Sequence, residues 1–118
     1  MEVDEFFTGE DLARQPFDSV YSILTAFGPV EIHPTKSQIS FRRRKAFAWV
    51  WMPGKYLHGK VAPLVLSLAF KRMDASPRWK EIYEPTPRQF MHHLELYSVG
   101  EVDEQVCNWL REAWTNGA

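Results

Sequence analysis

The chain has 118 residues, of which 45% are hydrophobic and 25% are charged, and its formal net charge is −1. This length fits one domain with one core, and this composition excludes a disordered chain. The single cysteine, Cys107, excludes an intramolecular disulfide and favours a reducing compartment. Residues 1–10 are acidic and lack the pattern of a signal peptide. We therefore expect a cytoplasmic domain without a membrane segment.

Helices are predicted in the first 28 residues. Thr8 and Asp11 have the spacing of a capping box, which predicts a short first helix. Pro16 fits the first turn of a second helix, and Gly28 is a natural end for it. Apolar residues recur at helical spacing within this second helix, at Phe17, Val20, Tyr21, Leu24 and Phe27. An amphipathic helix buries its apolar face, so we expect this helix to pack on a sheet.

After Gly28 the pattern changes to the alternation typical of β-strands. Five strands are predicted, with the sequences VEIH, QISFRR, KAFAWVWM, PLVLSLAF and FMHHLELYS. The basic run RRRK at 42–45 is then the tip of the hairpin between the second and third strands. The polar segment 71–87 contains three prolines and is interpreted as a long connection between strands.

A C-terminal helix is predicted from a capping-box pattern at Ser98 and Glu101, and it ends at Gly117. Its apolar face holds Val102, Val106, Trp109, Leu110 and Ala113. Short connections between consecutive strands imply hairpins. The predicted fold class is therefore α+β, with residues 1–118 as one domain and 1–16 as a less well defined N-terminal extension. It consists of a mainly antiparallel sheet of about five strands, with the N- and C-terminal helices packed on one face.

This layout leaves the other face of the sheet open. The helix-covered face is predicted to hold Ile39, Phe41, Leu64, Leu66, Leu68, Leu94 and Leu96. The opposite face would hold Gln38, Ser40, Arg42, Ser67, His93, Glu95 and Tyr97. The third strand is apolar on both sides, so Trp49 and Trp51 fit either face.

Positive charge is concentrated in the middle of the chain. Twelve of the 14 Lys and Arg residues lie between His33 and Arg88, together with only three of the 15 acids. A basic middle with acidic ends can bind an anion, or its cations can pair with the chain's own ends. The sequence leaves both alternatives open.

Several of these cations are candidates for an anion site on the open face. Lys36, Arg42, Arg44 and Lys55 could converge there with His93, because Arg and Lys side chains bind phosphates and carboxylates. The alternative is a solvated hairpin tip. A nearby carboxylate, Glu95, could raise the pKa of His93. The full set of predicted ligand-binding residues is Lys36, Ser40, Arg42, Arg44, Trp49, Trp51, Lys55, His93 and Tyr97.

The sequence contains no catalytic motif, and the histidines lack the spacing of metal ligands, so neither a catalytic residue nor a cofactor is assigned. The first hypothesis is a non-enzymatic domain that binds an anionic small molecule or partner on a basic and aromatic sheet face. The alternative is an interaction module that homodimerises through Trp49 and Trp51. A third hypothesis is single-stranded nucleic-acid binding, which the mildly acidic pI disfavours, or an enzyme that depends on His93.

Motifs along most of the chain, from about Phe17 onward, carry a resemblance to a known family. They are the turn at Pro34, Thr35 and Lys36, the strand Ile39–Arg42, the segment Phe47–Lys55, His93, and the helix end Trp109–Trp114. Together they resemble DUF5655, a group of small bacterial domains of unknown function. The resemblance implies an α+β domain, found alone or appended to other proteins, without an established activity. The Trp-rich segment WVWMPGKYLHGK and the acidic N-terminus depart from the family pattern.

Overall fold

In a computed structural model that describes residues 1–118, six strands form one antiparallel sheet. The strands are β1 (Glu31–Pro34), β2 (Ile39–Arg42), β3 (Ala46–Trp51), β4 (Leu64–Phe70), β5 (Glu81–Thr86) and β6 (Gln89–Leu96). Their order across the sheet is β1-β2-β3-β4-β6-β5. The helices are α1 (Val3–Phe6), α2 (Asp11–Phe27) and α3 (Glu104–Asn116), with 3-10 turns at Pro53–Lys55 and Val99–Glu101. None of these helices has the length and apolar character needed to cross a membrane.

The helices α2 and α3 pack on the same face of the sheet, which confirms the predicted α+β architecture. One cluster of 23 buried residues joins them to the strands. Phe17 of α2 and Leu110 of α3 are fully buried in this cluster, as are Phe41 and Leu66 from the sheet. Each large apolar side chain buried there stabilises the fold by roughly 1.5–3 kcal/mol. The predicted inward-facing leucines of β4 and β6 all belong to this core.

The sixth strand, β5, lies in the segment that the sequence analysis interpreted as a connection. It forms the edge of the sheet and pairs only with β6. Pro85 lies where the pairing register shifts, between Tyr83 and Thr86, and an edge strand tolerates such an interruption. Ile82 is the only residue of β5 that is not exposed, so the strand has too little apolar alternation to be recognised.

The N-terminal region forms two helices, as predicted, but their bounds differ from the prediction. The helix α1 ends at Phe6, before the predicted capping box at Thr8 and Asp11, and α2 already begins at Asp11 and continues through Pro16. Pro16 lies inside α2, where it cannot donate a hydrogen bond to the carbonyl of Leu12. Its ring is buried beside the core, which offsets that loss. Residues 1–16 are integral to the domain, because Phe6 and Phe7 both belong to the buried cluster.

The predicted capping box at Ser98 and Glu101 exists, but it caps the 3-10 turn Val99–Glu101 and not the helix itself. The helix α3 begins after Asp103, whose carboxylate accepts a hydrogen bond from the Val106 amide. It ends at Gly117, as predicted.

The turn between β2 and β3 is anchored to the end of α3. The carbonyl oxygen of Gly117 accepts hydrogen bonds from the Arg44 amide at 2.8 Å and from the Lys45 amide at 3.0 Å. The Arg43 guanidinium lies 3.6 Å from the centroid of the Trp114 ring and also donates to the Trp114 carbonyl. Arg43 therefore ties the hairpin tip to α3.

Replacing Gly117 with alanine tests this anchor. The added Cβ would lie 2.7 Å from Cδ2 of Phe47 and 3.3 Å from the carbonyl oxygen of Lys45. Because the Phe47 ring is buried and cannot move aside, we expect Gly117→Ala to lower the free energy of unfolding by about 1–3 kcal/mol in urea. The control is Gly54→Ala, whose Cβ would lie 3.8 Å from its nearest neighbour on Val61. Equal stability of the two variants would contradict the anchor.

Candidate functional site

The register of β3 places Trp49 and Trp51 on the face of the sheet that no helix covers, called the open face below. Ala48 and Val50 alternate with them and are fully buried on the helix side. Ala48 pairs with Phe41, so a small side chain lies directly beside a large one beneath the helices. Two indole rings in place of Ala48 and Val50 would overfill this closely packed layer.

A β-bulge in β3 changes the predicted alternation. Phe41 pairs with Ala48 and Arg42 pairs with Ala46, which leaves Phe47 as the extra residue. Phe47 is buried in the same cluster as Ala48 and contacts Gly117 at the end of α3. Strict alternation along the sequence Phe47, Ala48, Trp49 predicts that Phe47 lies on the same side as the two tryptophans, and the bulge shows that this prediction is wrong.

The pairing registers align one open-face residue from each strand in a row across the whole sheet. The row consists of His33, Ser40, Trp49, Ser67, His93 and Glu81. At its centre, Ser67 is only 3% exposed although no helix lies over it. The larger side chains on the neighbouring strands rise above it on both sides, so β4 is the floor of a trough.

This trough contains a groove of about 200 Å³, called the aromatic groove below. Its lining residues are Gln38, Trp49, Trp51, Ser67, Tyr83, Met91 and His93. The volume lies below the roughly 300–1,000 Å³ of typical ligand pockets, so it suits a ring or a comparable planar group. The sequence analysis did not select Tyr83 or Met91, because β5 was not recognised as a strand and the methionine fits a core as well as a site.

His93 is the titratable group of the aromatic groove. Its Nδ1 is hydrogen-bonded to Oγ of Ser67. Its ring meets Trp51 edge-on, with 6.5 Å between ring centroids, and lies 5.4 Å from the Tyr83 ring. Burial lowers the pKa of His93 below its ordinary value of 6.5, and Glu81 opposes this shift only in part. The imidazole is therefore neutral at physiological pH.

The sequence analysis expected the pKa of His93 to be raised, and this expectation is wrong because the net shift is downward. The carboxylate that acts on this imidazole is Glu81, which pairs with His93 across strands β5 and β6. Glu95 lies on the same strand as His93, but it does not contribute to the shift. Nε2 of His93 has no protein partner, so it is available to a ligand.

The structure does not bring the predicted cations together. Consecutive hairpins have their turns at alternate ends of a sheet. We call the end with the β1–β2 turn the lower end and the end with the β2–β3 turn the upper end, so Lys36 lies at the lower end. Arg42 and Arg44 lie at the upper end, at and after the last residue of β2. Lys55 extends to the helix side, where its Nζ lies 4.6 Å from the centroid of the Phe6 ring.

Of the other predicted site residues, only three line the aromatic groove. They are Trp49, Trp51 and His93. Ser40 borders the groove, because it pairs with Trp49 in the transverse row. Tyr97 follows the last residue of β6 and is not among the lining residues.

Part of the basic middle is neutralised by the C-terminal acids. The Arg72 guanidinium contacts both carboxylate oxygens of Glu112 in α3, at 2.7 and 2.9 Å. Arg78 contacts the Asp103 carboxylate at 3.0 Å. Hydrogen bonds from the Val106 amide and from Arg78 hold the pKa of Asp103 below its ordinary value. The alternative of internal charge pairing therefore holds for Arg72 and Arg78.

The neighbouring histidine, His92, points to the opposite face, as predicted, and is fully buried. Its Nδ1 lies 3.0 Å from the Phe90 carbonyl and its Nε2 lies 3.0 Å from the Asp74 amide nitrogen. Only a neutral ring can donate from Nδ1 and accept at Nε2. Burial also lowers the pKa of His92, so this histidine is structural and fixes the segment between β4 and β5.

The fold and the aromatic groove define a small α+β domain with one helix-covered sheet face and one open face. A family model described as "Domain of unknown function (DUF5655)" matches residues 3–117. The chain therefore belongs to the DUF5655 family, and the match extends further toward the N-terminus than the resemblance in sequence motifs did. No curated protein and no solved structure matches the chain.

The buried His92 and the partly buried His93 predict how stability depends on pH. Below pH 6.5 the unfolded chain binds protons at His92 and His93 that the folded chain does not bind, since burial lowers both pKa values. The free energy of unfolding should therefore fall as the pH is lowered from about 7.5 to about 5. The pKa values of Asp74 and Asp103 are also lowered, so these carboxylates stabilise the fold throughout this window. Their contribution to stability is lost only at a lower pH, around and below their ordinary pKa of 3.8.

Urea denaturation across this window and an NMR titration of the imidazole signals measure the effect. In His93→Gln only the contribution of His92 is left, so the fall in stability should be smaller. A stability that is independent of pH in this window, or a His93 signal that titrates above 6.5, would contradict the assignment.

Proposed function

We propose that this domain binds a small planar organic molecule in the aromatic groove. The observation that carries the proposal is the position of Trp49, Trp51 and Tyr83, which wall a groove whose floor is the hydrogen-bonded pair Ser67 and His93. Aromatic walls favour a flat ring, because stacked and edge-on arrangements add to the free energy gained by burying apolar area. A few polar groups among apolar walls are typical of ligand sites.

The polar groups of the groove indicate what the ligand carries at its edge. The neutral imidazole of His93 offers Nε2 for one hydrogen bond, as donor or acceptor according to its tautomer. The side chain of Gln38 lines the same groove and provides both an amide donor and a carbonyl acceptor. A planar molecule with polar substituents at its rim satisfies both residues.

Binding, and not catalysis, is the function that this geometry favours. Ser67 and His93 are paired like a nucleophile and its base, but the serine is only 3% exposed at the floor. Ser67 also pairs with Trp49 on one side and with His93 on the other, so its strand lies in the interior of the sheet. Backbone amides in the ladders on both sides are not available as an oxyanion hole.

Self-association through the same face is the second candidate. Tyr83, which lines the groove, is 45% exposed, and Tyr97, which follows the end of β6, is 49% exposed. A two-fold dimer could bury these side chains together with Trp51. Sedimentation of the protein at increasing concentration separates this candidate from the first.

The single cysteine fits a reducing bacterial cytoplasm, and we propose that the domain acts there.

Titration with 2-naphthol, a flat ring with one hydroxyl group, tests the groove. We expect Trp49→Ala to weaken 2-naphthol binding about tenfold, because stacking on an aromatic side chain is lost. The control is Tyr97→Ala, which removes an exposed aromatic side chain that does not line the groove. Calorimetry measures the affinities, and circular dichroism checks the fold of both variants. Unchanged binding in Trp49→Ala, or an equal loss in Tyr97→Ala, would contradict the proposal.

A further inference from the structure

A second cavity, of about 150 Å³, lies at the upper end of the sheet, where β3 and β4 separate. The β3–β4 pairing reaches Ala48 and Leu68 and does not continue beyond them. Three cationic side chains line the cavity, from the β2–β3 turn, the residue after β4 and the β5–β6 turn: Lys45, Lys71 and Arg88. We call this cavity the basic pocket.

The cationic side chains of the basic pocket have no carboxylate partner, although the Glu84 carboxylate accepts a hydrogen bond from the backbone amide of Arg88 at 2.9 Å. None of them takes part in an ion pair, whereas Arg14, Arg72 and Arg78 each contact a carboxylate within 3.0 Å. No acidic residue lines the pocket. Three like charges around a small cavity repel one another, and an anion bound between them would remove this repulsion.

Arg88 has a backbone conformation that an arginine rarely adopts. Its φ is +67°, and it is the only residue other than glycine with a positive φ. It follows Pro87 in the turn between β5 and β6, at a position where glycine or asparagine would be less strained. A two-residue turn with proline at its first position requires a positive φ at its second position, so the turn fixes this conformation of Arg88.

The position of only one of the three cations at the cavity is explained by its contribution to the stability of the fold. Lys45 lies at the C-terminal end of α3, where the helix dipole favours a positive charge. Lys71 and Arg88 belong to the sheet ends, and their convergence on the cavity has no such cause.

The basic pocket and the aromatic groove share one floor. Ser67 lines the groove and Ala69, two residues further along β4, lines the pocket. Two residues of a strand span roughly 7 Å, so the two cavities are neighbours along β4. The basic pocket lies at the end of the sheet, where Phe47, Phe70 and Asn116 from the helix side also line it. On β6 the same step leads from Met91 in the groove to Gln89 in the pocket.

From this arrangement we infer that the basic pocket binds the phosphate group of a small phosphorylated molecule whose planar part occupies the aromatic groove. The inference that the planar part of the ligand occupies the groove rests on the proposed function. The inference that phosphate binds in the basic pocket depends only on the three cations. Three positive charges favour a phosphate dianion over a single carboxylate. The fork of Arg88 matches two phosphate oxygens, while the lysines act as point charges.

Three probes separate the two halves of the site: inorganic phosphate, 2-naphthol and 2-naphthyl phosphate, each titrated at low ionic strength by calorimetry. We expect 2-naphthyl phosphate to bind at least about tenfold more tightly than either of the other two, because both cavities are then occupied by one molecule. Its affinity should fall as potassium chloride is added, since the pocket is open to solvent and salt screens its charges.

Two variants at the basic pocket and one control locate the phosphate. Arg88→Asn keeps a residue that tolerates positive φ, so the fold should be retained while one cation is removed. We expect Arg88→Asn and Lys71→Gln each to weaken phosphate and 2-naphthyl phosphate about tenfold and to leave 2-naphthol unchanged. Lys36→Gln removes an exposed cation at the lower end of the sheet, and it should change none of the three affinities.

The outcomes distinguish the two proposals. If phosphate does not bind, or binds Arg88→Asn and Lys71→Gln as tightly as the wild type, the basic pocket is not an anion site, while 2-naphthol binding is unaffected. If 2-naphthyl phosphate binds no more tightly than phosphate, the two cavities do not serve one ligand. If 2-naphthol fails to bind while phosphate binding depends on Arg88, the proposed function of the groove fails and the anion site stands.

Discussion

The pairing of Phe41 with Ala48 beneath the helices is the constraint on which the open face depends. Phe17 of α2 lies against Phe41, with 6.0 Å between ring centroids, so this position already holds two large rings. Only a small residue fits beside them on β3. Because side chains alternate along a strand, placing Ala48 inside directs Trp49 outward, and a slip of one residue would reverse both.

The outward tryptophans in turn form the wall of the aromatic groove, on a face that would otherwise be a plain sheet surface. The floor strand β4 has small open-face residues, and the larger side chains of its neighbours enclose them. Burial among Trp51, Tyr83 and the floor keeps His93 neutral, with Ser67 fixing its ring. Further along the same strand, the end of the β3–β4 pairing opens the cavity that Lys71 and Arg88 line.

The sequence predicted the helix-covered face well, because Leu94 alternates with polar residues in β6 and Leu66 alternates with smaller side chains in β4. It did not decide the register of β3, where both faces are apolar, and it missed β5, an exposed edge strand interrupted by Pro85. The sequence analysis grouped Lys36, Arg42, Arg44 and Lys55 on one face, and the structure places them apart. Lys71 and Arg88 are far apart in sequence, yet they line one cavity because β4 and β6 are neighbours. Proximity along the chain carries no information about the strand order, so the sequence could not show which cations lie close together.

The register of β3 is tested most directly by placing a carboxylate on each side of that strand in turn and measuring the free energy of unfolding in urea. Ala48→Asp buries a charge against α2 and α3 and should cost about 3 kcal/mol or more. Trp49→Asp places the same charge on the open face and should cost less than about 2 kcal/mol. Equal losses, or a larger loss for Trp49→Asp, would show that the tryptophans are inside and that the open face described above does not exist.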